Sequence, residues 1–299
     1  MGLYLRPTAL ADALAALADP KLTRSPAKID RLTVLAGGTD HYPAQAARTA
    51  WLDAAPRNVL DISGIEELKG IREDASGITF GALATWANVR AATLPRAFDG
   101  LKLAARDVGG QQVQNRGTIA GNLCNASPAA DGVPPLLALD AVVNMASAGG
   151  RRSVALAEFI TGNRQTILAA DELVTAIHVP TPAPGARSTF LKLGARAYLV
   201  ISIVSVAAVV NLGADGRIAR AAIAVGACSA VPQRLAQLER DLVGVAAADA
   251  MRGVAAEHMS ALQPIDDVRG SADYRRRVAL VVTRRALMQC LAIGSEVAA

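Results

Sequence analysis

From Ala9 to Ala18, alanine and leucine recur with a helical period, Thr8 stands where an N-cap hydroxyl belongs, and Pro20 helps to end the run. Val34 to Ala36 is a short apolar strand that runs into Gly37-Gly38, and Pro43 to Arg48 opens a helix beyond it, which makes a β-turn-α unit. Val59 to Ile62 and Ile78 to Ala82 predict strands, with Thr85 capping a helix through Arg90. A helix over Arg96 to Asp107 precedes Gly109-Gly110, and Pro134-Pro135 start an apolar helical turn from Leu136 to Leu139. Val142 to Ala146 and Ser153 to Leu156 flank Gly149-Gly150 as a hairpin. Leu173, Thr175, Ile177 and Val179 alternate with Val174, Ala176 and His178 as a strand. Pro180, Pro182, Pro184 and Gly185 then mark a linker. Beyond it, Thr189 to Leu193, Leu199 to Leu212 and Ile218 to Val225 predict a small antiparallel sheet, with a turn at Asp215-Gly216. The remainder from Leu235 reads as Ala- and Arg-rich helix.

Two segments interrupt these rhythms. Thr118-Ile119-Ala120-Gly121-Asn122-Leu123-Cys124-Asn125-Ala126-Ser127-Pro128-Ala129-Ala130-Asp131 packs small and polar residues together just before an apolar run. Val34-Leu35-Ala36-Gly37-Gly38-Thr39-Asp40-His41 does the same far upstream. Residues without bulk let backbone N–H groups approach a polar ligand directly. Two such cradles suit a long ligand with a phosphate-rich middle, and a dinucleotide is one. The first cradle lacks the G-x-G-x-x-G spacing of the doubly wound dinucleotide fold, and no Gly-Lys-Ser/Thr makes it a Walker loop. A glycine pair after a strand is also an ordinary structural turn. Thr39 adds a hydroxyl beside the Gly37 and Gly38 amides, a nest that holds a diphosphate without a lysine.

Composition narrows the class. The chain has 299 residues, enough for two domains; 52% are hydrophobic but only 3% aromatic, which suits an α/β or α+β protein. The net charge of +5 is mild. Its only concentration is Arg269, Arg275, Arg276, Arg277, Arg284 and Arg285, where Tyr274 is the lone aromatic. That pattern points to a solvated helix face or a protein interface rather than to nucleic acid. Cys124, Cys228 and Cys290 match no metal-ligand spacing and fit a reducing cytoplasm. No signal peptide or membrane span is expected, since Leu199 to Val210 is too short to cross a bilayer. Arg6 stands where myristoylation of Gly2 needs a hydroxyl.

Val113-Gln114-Asn115-Arg116-Gly117-Thr118-Ile119-Ala120-Gly121-Asn122, followed by Asn125 to Asp131, closely resembles the flavin-binding subunit of the molybdenum hydroxylases. That family includes xanthine dehydrogenase and the medium subunit of carbon monoxide dehydrogenase. Leu35 to Asp40 matches its first flavin loop, and Phe190-Leu191-Lys192-Leu193-Gly194-Ala195-Arg196 resembles the start of its C-terminal domain. The resemblance covers nearly the whole chain. It implies an α+β protein: an FAD-binding domain of the vanillyl-alcohol-oxidase-like (PCMH-type) fold over residues 1–179, a linker over 180–186, and a C-terminal domain over 187–299. The last would hold a three-stranded antiparallel sheet with helices, and FAD would lie between the two domains.

By the same resemblance, Val34, Leu35, Ala36, Gly37, Gly38, Thr39, Asp40 and His41 wrap the diphosphate. Thr118, Ile119, Ala120, Gly121, Asn122 and Ser127 supply the second loop, and Asp131 accepts from a sugar or ribityl hydroxyl. Val108 stands where some relatives place an aromatic residue against the cofactor, while Val174 and Lys192 match positions that touch it. A lysine near the ring would stabilise the charge of reduced flavin. Residue by residue, plainer roles stand beside these: Asp131 as a helix cap, Lys192 as a solvated edge charge, Tyr198 as a ring shield or a core tyrosine. His41 does not sit in the motif that attaches FAD covalently in some fold relatives, so FAD is expected to be non-covalent.

The function implied is electron transfer. A molybdopterin-binding large subunit would oxidise the substrate, a small subunit with two [2Fe-2S] clusters would relay electrons, and this chain would pass them to NAD⁺, a quinone, a cytochrome or oxygen. Molybdopterin and clusters would reside only on those partners, the assembly being a dimer of heterotrimers, with no metal site and no catalytic residue here. The extra iron–sulfur insertion of some relatives is missing between Asn122 and Asp131. The rivals are a stand-alone flavin oxidase of the same fold and a non-catalytic assembly subunit without flavin.

Overall fold

The structure, a computed structural model, describes residues 3–23, 32–50 and 58–291, with no side-chain description at 48 and 49. Gly2 and the ends of the expected domains at residues 1 and 299 lie outside the described residues.

Strands β1 (Tyr4–Leu5), β2 (Thr33–Leu35) and β3 (Val59–Asp61) form a parallel sheet with β3 in the middle. Between β1 and β2 lies α1 (Leu10–Ala18), whose Leu10, Ala13, Leu14 and Leu17 face the core. Thr8 does not cap it. The N-cap is Ala9, without a side-chain bond, and the Leu10 amide donates to Glu67 from a distant turn at 3.2 Å. A tertiary carboxylate therefore replaces the local hydroxyl that the pattern predicts. After β2 the chain bends through the glycine pair into α2 (His41–Ala50).

The second sheet is antiparallel, with β4 (Ile71–Asp74), β5 (Gly77–Gly81), β6 (Val142–Ser147), β7 (Gly150–Ala155) and β8 (Leu173–Pro180) in the order β4-β5-β8-β6-β7. Packed along it are α3 (Trp86–Ala91), α4 (Asp99–Asp107), α5 (Gln111–Arg116), α6 (Ile119–Asn125) and α7 (Val133–Ala138). Thr85 caps α3, as its position predicts, in a reciprocal box with Asn88. The helix expected over 96–107 divides, with a 3₁₀ turn at Arg96–Phe98 before α4. The second small-residue segment, read as a loop, holds α6, with Thr118 as N-cap accepting from the Gly121 amide at 3.0 Å through its Oγ1 and Ala126 as a left-handed cap (φ +46°).

The C-terminal sheet has four strands, not three: β9 (Arg187–Leu193), β10 (Val204–Leu212), β11 (Ile218–Gly226) and the short β12 (Gln233–Arg234), in sequential antiparallel order. β12 escapes sequence reading because it has two residues and no alternation. Its two faces serve different layers. Val206, Ala208, Val210, Ile223 and Val225 pack under α8 (Ala236–Leu242) and the long α9 (Ala272–Leu291). Ala207, Ala222 and Ala224 face the N-terminal core. Small side chains there permit close approach: a Cβ on Gly100 of α4 would lie 2.7 Å from the Thr189 carbonyl of β9.

Two expectations beyond residue 195 change. The strand expected from Leu199 begins at Val204, since Leu199 is left-handed (φ +51°) and Tyr198, Leu199 and Ile201 are exposed. The tail is not continuous helix, because turns and a 3₁₀ segment (Ala256–Met259) separate α8 from α9. Nor are all its arginines a surface feature: Arg275 is fully buried. No helix among the described residues is long and apolar enough to cross a membrane.

Candidate functional site: a cavity between two glycine bends

The two glycine-bearing segments touch. A Cβ on Gly37 would fall 2.0 Å from the Arg116 carbonyl, so only glycine lets the first bend lie against the entrance of the second. Gly38 is left-handed (φ +76°). Asn125 Nδ2 donates to Asp40 Oδ1 at 2.9 Å, joining the end of α6 to the first bend. Beneath both lies Trp86, with 1% exposure; its amide donates to the Gly117 carbonyl at 3.1 Å, while Ile119 N donates to Ala84 at 2.9 Å. The indole also explains Gly132, where a Cβ would meet its ring at 2.4 Å.

Together these segments wall a cavity of about 450 Å³, within the range of small-ligand sites. Of the residues expected from sequence, Val34, Leu35, Ala36, Gly37, Gly38, Thr39, Asp40, His41, Val108, Thr118, Ala120, Gly121, Asn122 and Val174 line it. Ile119 does not; its side chain is wholly in the core. Ser127 lines a second, larger cavity of about 1090 Å³, walled also by Arg164, Arg196, Leu199 to Ile201 and Arg269. The two cavities are adjacent across Ala126: Arg164 donates its backbone amide to the Ala126 carbonyl at 2.8 Å and its guanidinium to Asn125 Oδ1.

Asp131 and Lys192 line neither cavity. They pair with each other, Nζ to Oδ2 at 2.5 Å, with side-chain exposures of 9% and 7% for lysine and aspartate. Ser202 Oγ donates to the other Asp131 oxygen at 2.5 Å. Burial pushes the Asp131 carboxyl above its usual range, against the lowering by the Lys192 charge and hydrogen bond. Tyr198 stands in the open and Val108 is half-buried at the cavity wall.

The first cavity fits the diphosphate-bearing part of a flavin dinucleotide on its own features. The amides of Gly37, Gly38 and Thr39 donate to no group among the described residues, which is the condition for a diphosphate nest. Asn122 Oδ1 is buried without a hydrogen-bond partner, an acceptor that a ligand hydroxyl or amide would satisfy. Glu172 and Trp86 also line the cavity and were not legible from sequence, since each reaches it only through folding. Arg152 holds Glu172 through two bonds of 2.5 and 2.7 Å, and chiefly that contact lowers the Glu172 carboxyl.

Fold and site together define a flavin-nucleotide-binding protein. Residues 1–182 match the family profile described as the FAD binding domain in molybdopterin dehydrogenase, and residues 189–290 match the CO dehydrogenase flavoprotein C-terminal domain. The chain belongs to the family of FAD-binding medium subunits of molybdopterin dehydrogenases, flavoprotein subunits of molybdenum-containing oxidoreductases. It is 31% identical over 288 residues to the glyceraldehyde dehydrogenase medium chain of Sulfolobus acidocaldarius, covering 96% of this chain and 97% of that one. To the carbon monoxide dehydrogenase medium chain of Afipia carboxidovorans it is 30% identical over 290 residues, covering 95% and 94%. Among solved structures, a carbon monoxide dehydrogenase from Hydrogenophaga pseudoflava superposes with a TM-score of 0.85 at 29% identity, over 97% of both chains.

Proposed function

We propose that this chain is the electron-transfer subunit of a multi-subunit molybdenum hydroxylase. It binds FAD non-covalently, takes electrons from the [2Fe-2S] clusters of a small partner subunit and passes them to an external acceptor. A large partner subunit carries molybdopterin and the substrate chemistry. The complex is a dimer of heterotrimers in the cytoplasm, with residues 1–179 and 187–299 as this chain's two domains. The observation that carries the reading is the contact of Gly37 with Arg116, which closes two distant bends around one cavity.

The diphosphate is assigned to the Gly37–Thr39 amides and the adenylate half to the first cavity, against Val108 and Val174. The flavin ring is assigned to the larger groove beyond Asn125 and Ser127. FAD, when bound, supplies a store for two electrons between single-electron donors and the acceptor. Asn122 offers its free acceptor to the cofactor. Asp131, accepting from Lys192 and Ser202, is assigned to fixing the turn beside Ser127. Lys192 fixes the Asp131 carboxylate through their ion pair, and its charge is answered there.

The visible absorption spectrum of the purified chain tests the reading, before and after acid precipitation. Flavin bands released by acid, with no turnover of organic substrates until partner subunits are added, are expected. Turnover by the chain alone would favour a stand-alone oxidase, and a colourless chain that takes up no FAD would make it a scaffold.

A further inference from the structure

Outside the glycine bends, a run of hydrogen bonds leads from one buried guanidinium to the turn that separates the two cavities. Arg275 of α9 has no solvent exposure. Its Nη1 donates to the carbonyls of Ile203 at 3.2 Å and Ala227 at 3.0 Å, Nε donates to Gly270 at 3.4 Å, and Nη2 donates to Asp267. Ala227 follows β11 in the left-handed region (φ +62°), rare for a residue with a Cβ, and its amide donates to the Pro128 carbonyl at 2.9 Å. Asp267 also accepts from Arg269 Nη2 at 2.6 Å; Arg269 Nη1 donates to the Ser202 carbonyl at 2.9 Å; Ser202 Oγ donates to Asp131. Two routes therefore join Arg275 to the 127–131 turn, one through Ala227 to Pro128, the other through Asp267, Arg269 and Ser202 to Asp131.

We propose that Arg275 is a positioning residue for the cofactor groove, fixing the 127–131 turn so that Ser127 is presented to the flavin side. The proposal rests on the FAD reading above. Neither route includes a residue of the first glycine bend, and both end on the element between the cavities. Only a planar fork with five donors serves acceptors in the Ile203, Ala227, Asp267 and Gly270 segments at once; a lysine brings three donors at one point.

The test uses the full chain as wild type, Arg275→Lys, Arg275→Met, Ser202→Ala and the Arg275→Lys/Ser202→Ala double variant. Three quantities are read: hydrogen–deuterium exchange at the Ala227 amide in FAD-free protein, FAD affinity by flavin fluorescence, and the thermal midpoint. We expect Arg275→Lys to exchange about tenfold faster at Ala227 and to bind FAD about tenfold more weakly, with Ser202→Ala also weakening FAD and the double variant falling short of the summed losses. A lowered midpoint with unchanged Ala227 exchange and FAD affinity would overturn the proposal, as would strict additivity. If Arg275→Met does not fold, Arg275→Lys and Ser202→Ala decide the matter, because the latter deletes one hydroxyl only. A wild-type chain that binds no FAD sinks the cofactor reading instead, while exchange at Ala227 still reports whether Arg275 holds the turn.

Discussion

Asp131 and Lys192, 61 positions apart, form a buried ion pair of 2.5 Å between the turn after α6 and strand β9 of the C-terminal sheet. Breaking such a pair from one side leaves a charge in a poorly solvated place. Lys192→Met should therefore destabilise the chain by about 3–5 kcal/mol, and Asp131→Asn added to it should recover part of that loss. Urea unfolding of the wild type and the two variants measures both; a Lys192→Met loss within the range of a surface pair would contradict the burial.

Gly37 is constrained by space. The 2.0 Å approach of its would-be Cβ to the Arg116 carbonyl cannot be relieved by a rotamer change, because the obstacle is backbone. Gly37→Ala should push the bends apart and weaken FAD binding by at least about tenfold, strain of this kind costing roughly 1–3 kcal/mol. Equilibrium titration with FAD reads the change directly.

Val108 lines the first cavity from the end of α4. Aromatic stacking adds about 0.5–1.5 kcal/mol beyond burial. Val108→Phe should therefore tighten FAD about two- to tenfold. An unchanged or weaker affinity would place the cofactor's ring away from this wall.

Acid should erode the stability that Asp267 contributes. The Arg269 side chain above all, then the Arg269 amide and Arg275, hold its carboxyl far below the ordinary value of 3.8. The folded state thus keeps Asp267 ionised where the unfolded chain takes up a proton, so stability falls as pH drops. Its contribution is complete above the unfolded carboxylate pKa and is lost on acidification toward the folded one. Asp267→Asn should flatten this acid-side decline, seen by comparing chemical denaturation near pH 7 and near pH 3.

Cys228 and Cys290 are buried, and burial pushes both thiols up to about 12. Neither offers a thiolate at neutral pH. Both should resist alkylation in the folded chain and react once it unfolds, with mass spectrometry of labelled peptides as the readout.

Much of the fold was legible because its local signals agree with its tertiary outcome. Thr85 caps α3 where its hydroxyl predicts, Leu173 to Val179 alternate and pair on both edges, and Gly149-Gly150 turn a hairpin. Thr8 failed as a cap because Glu67, distant in sequence, answers the same amide. The four-stranded sheet and the late start of β10 were hidden for a related reason. β12 is too short for a period, and Leu199 to Ile201 is apolar without being extended throughout.

The candidate site divides along the same line. Residue types alone determined where backbone can come close, since the absence of a Cβ at Gly37 and a tolerated left-handed φ at Gly38 are properties of glycine wherever it stands. The resemblance of those segments to a known family rests on that fact. Tertiary structure decided which side chains answer one another: Arg164 with Asn125, Ser202 with Asp131, Arg152 with Glu172, and Arg275 with the strand ends around it. A charged residue carries no local mark of its partner, because the pairing follows from where the sheets place it, and an arginine in a basic run looks the same whether it meets water or is buried. Packing of α9 against the C-terminal sheet made that choice for Arg275.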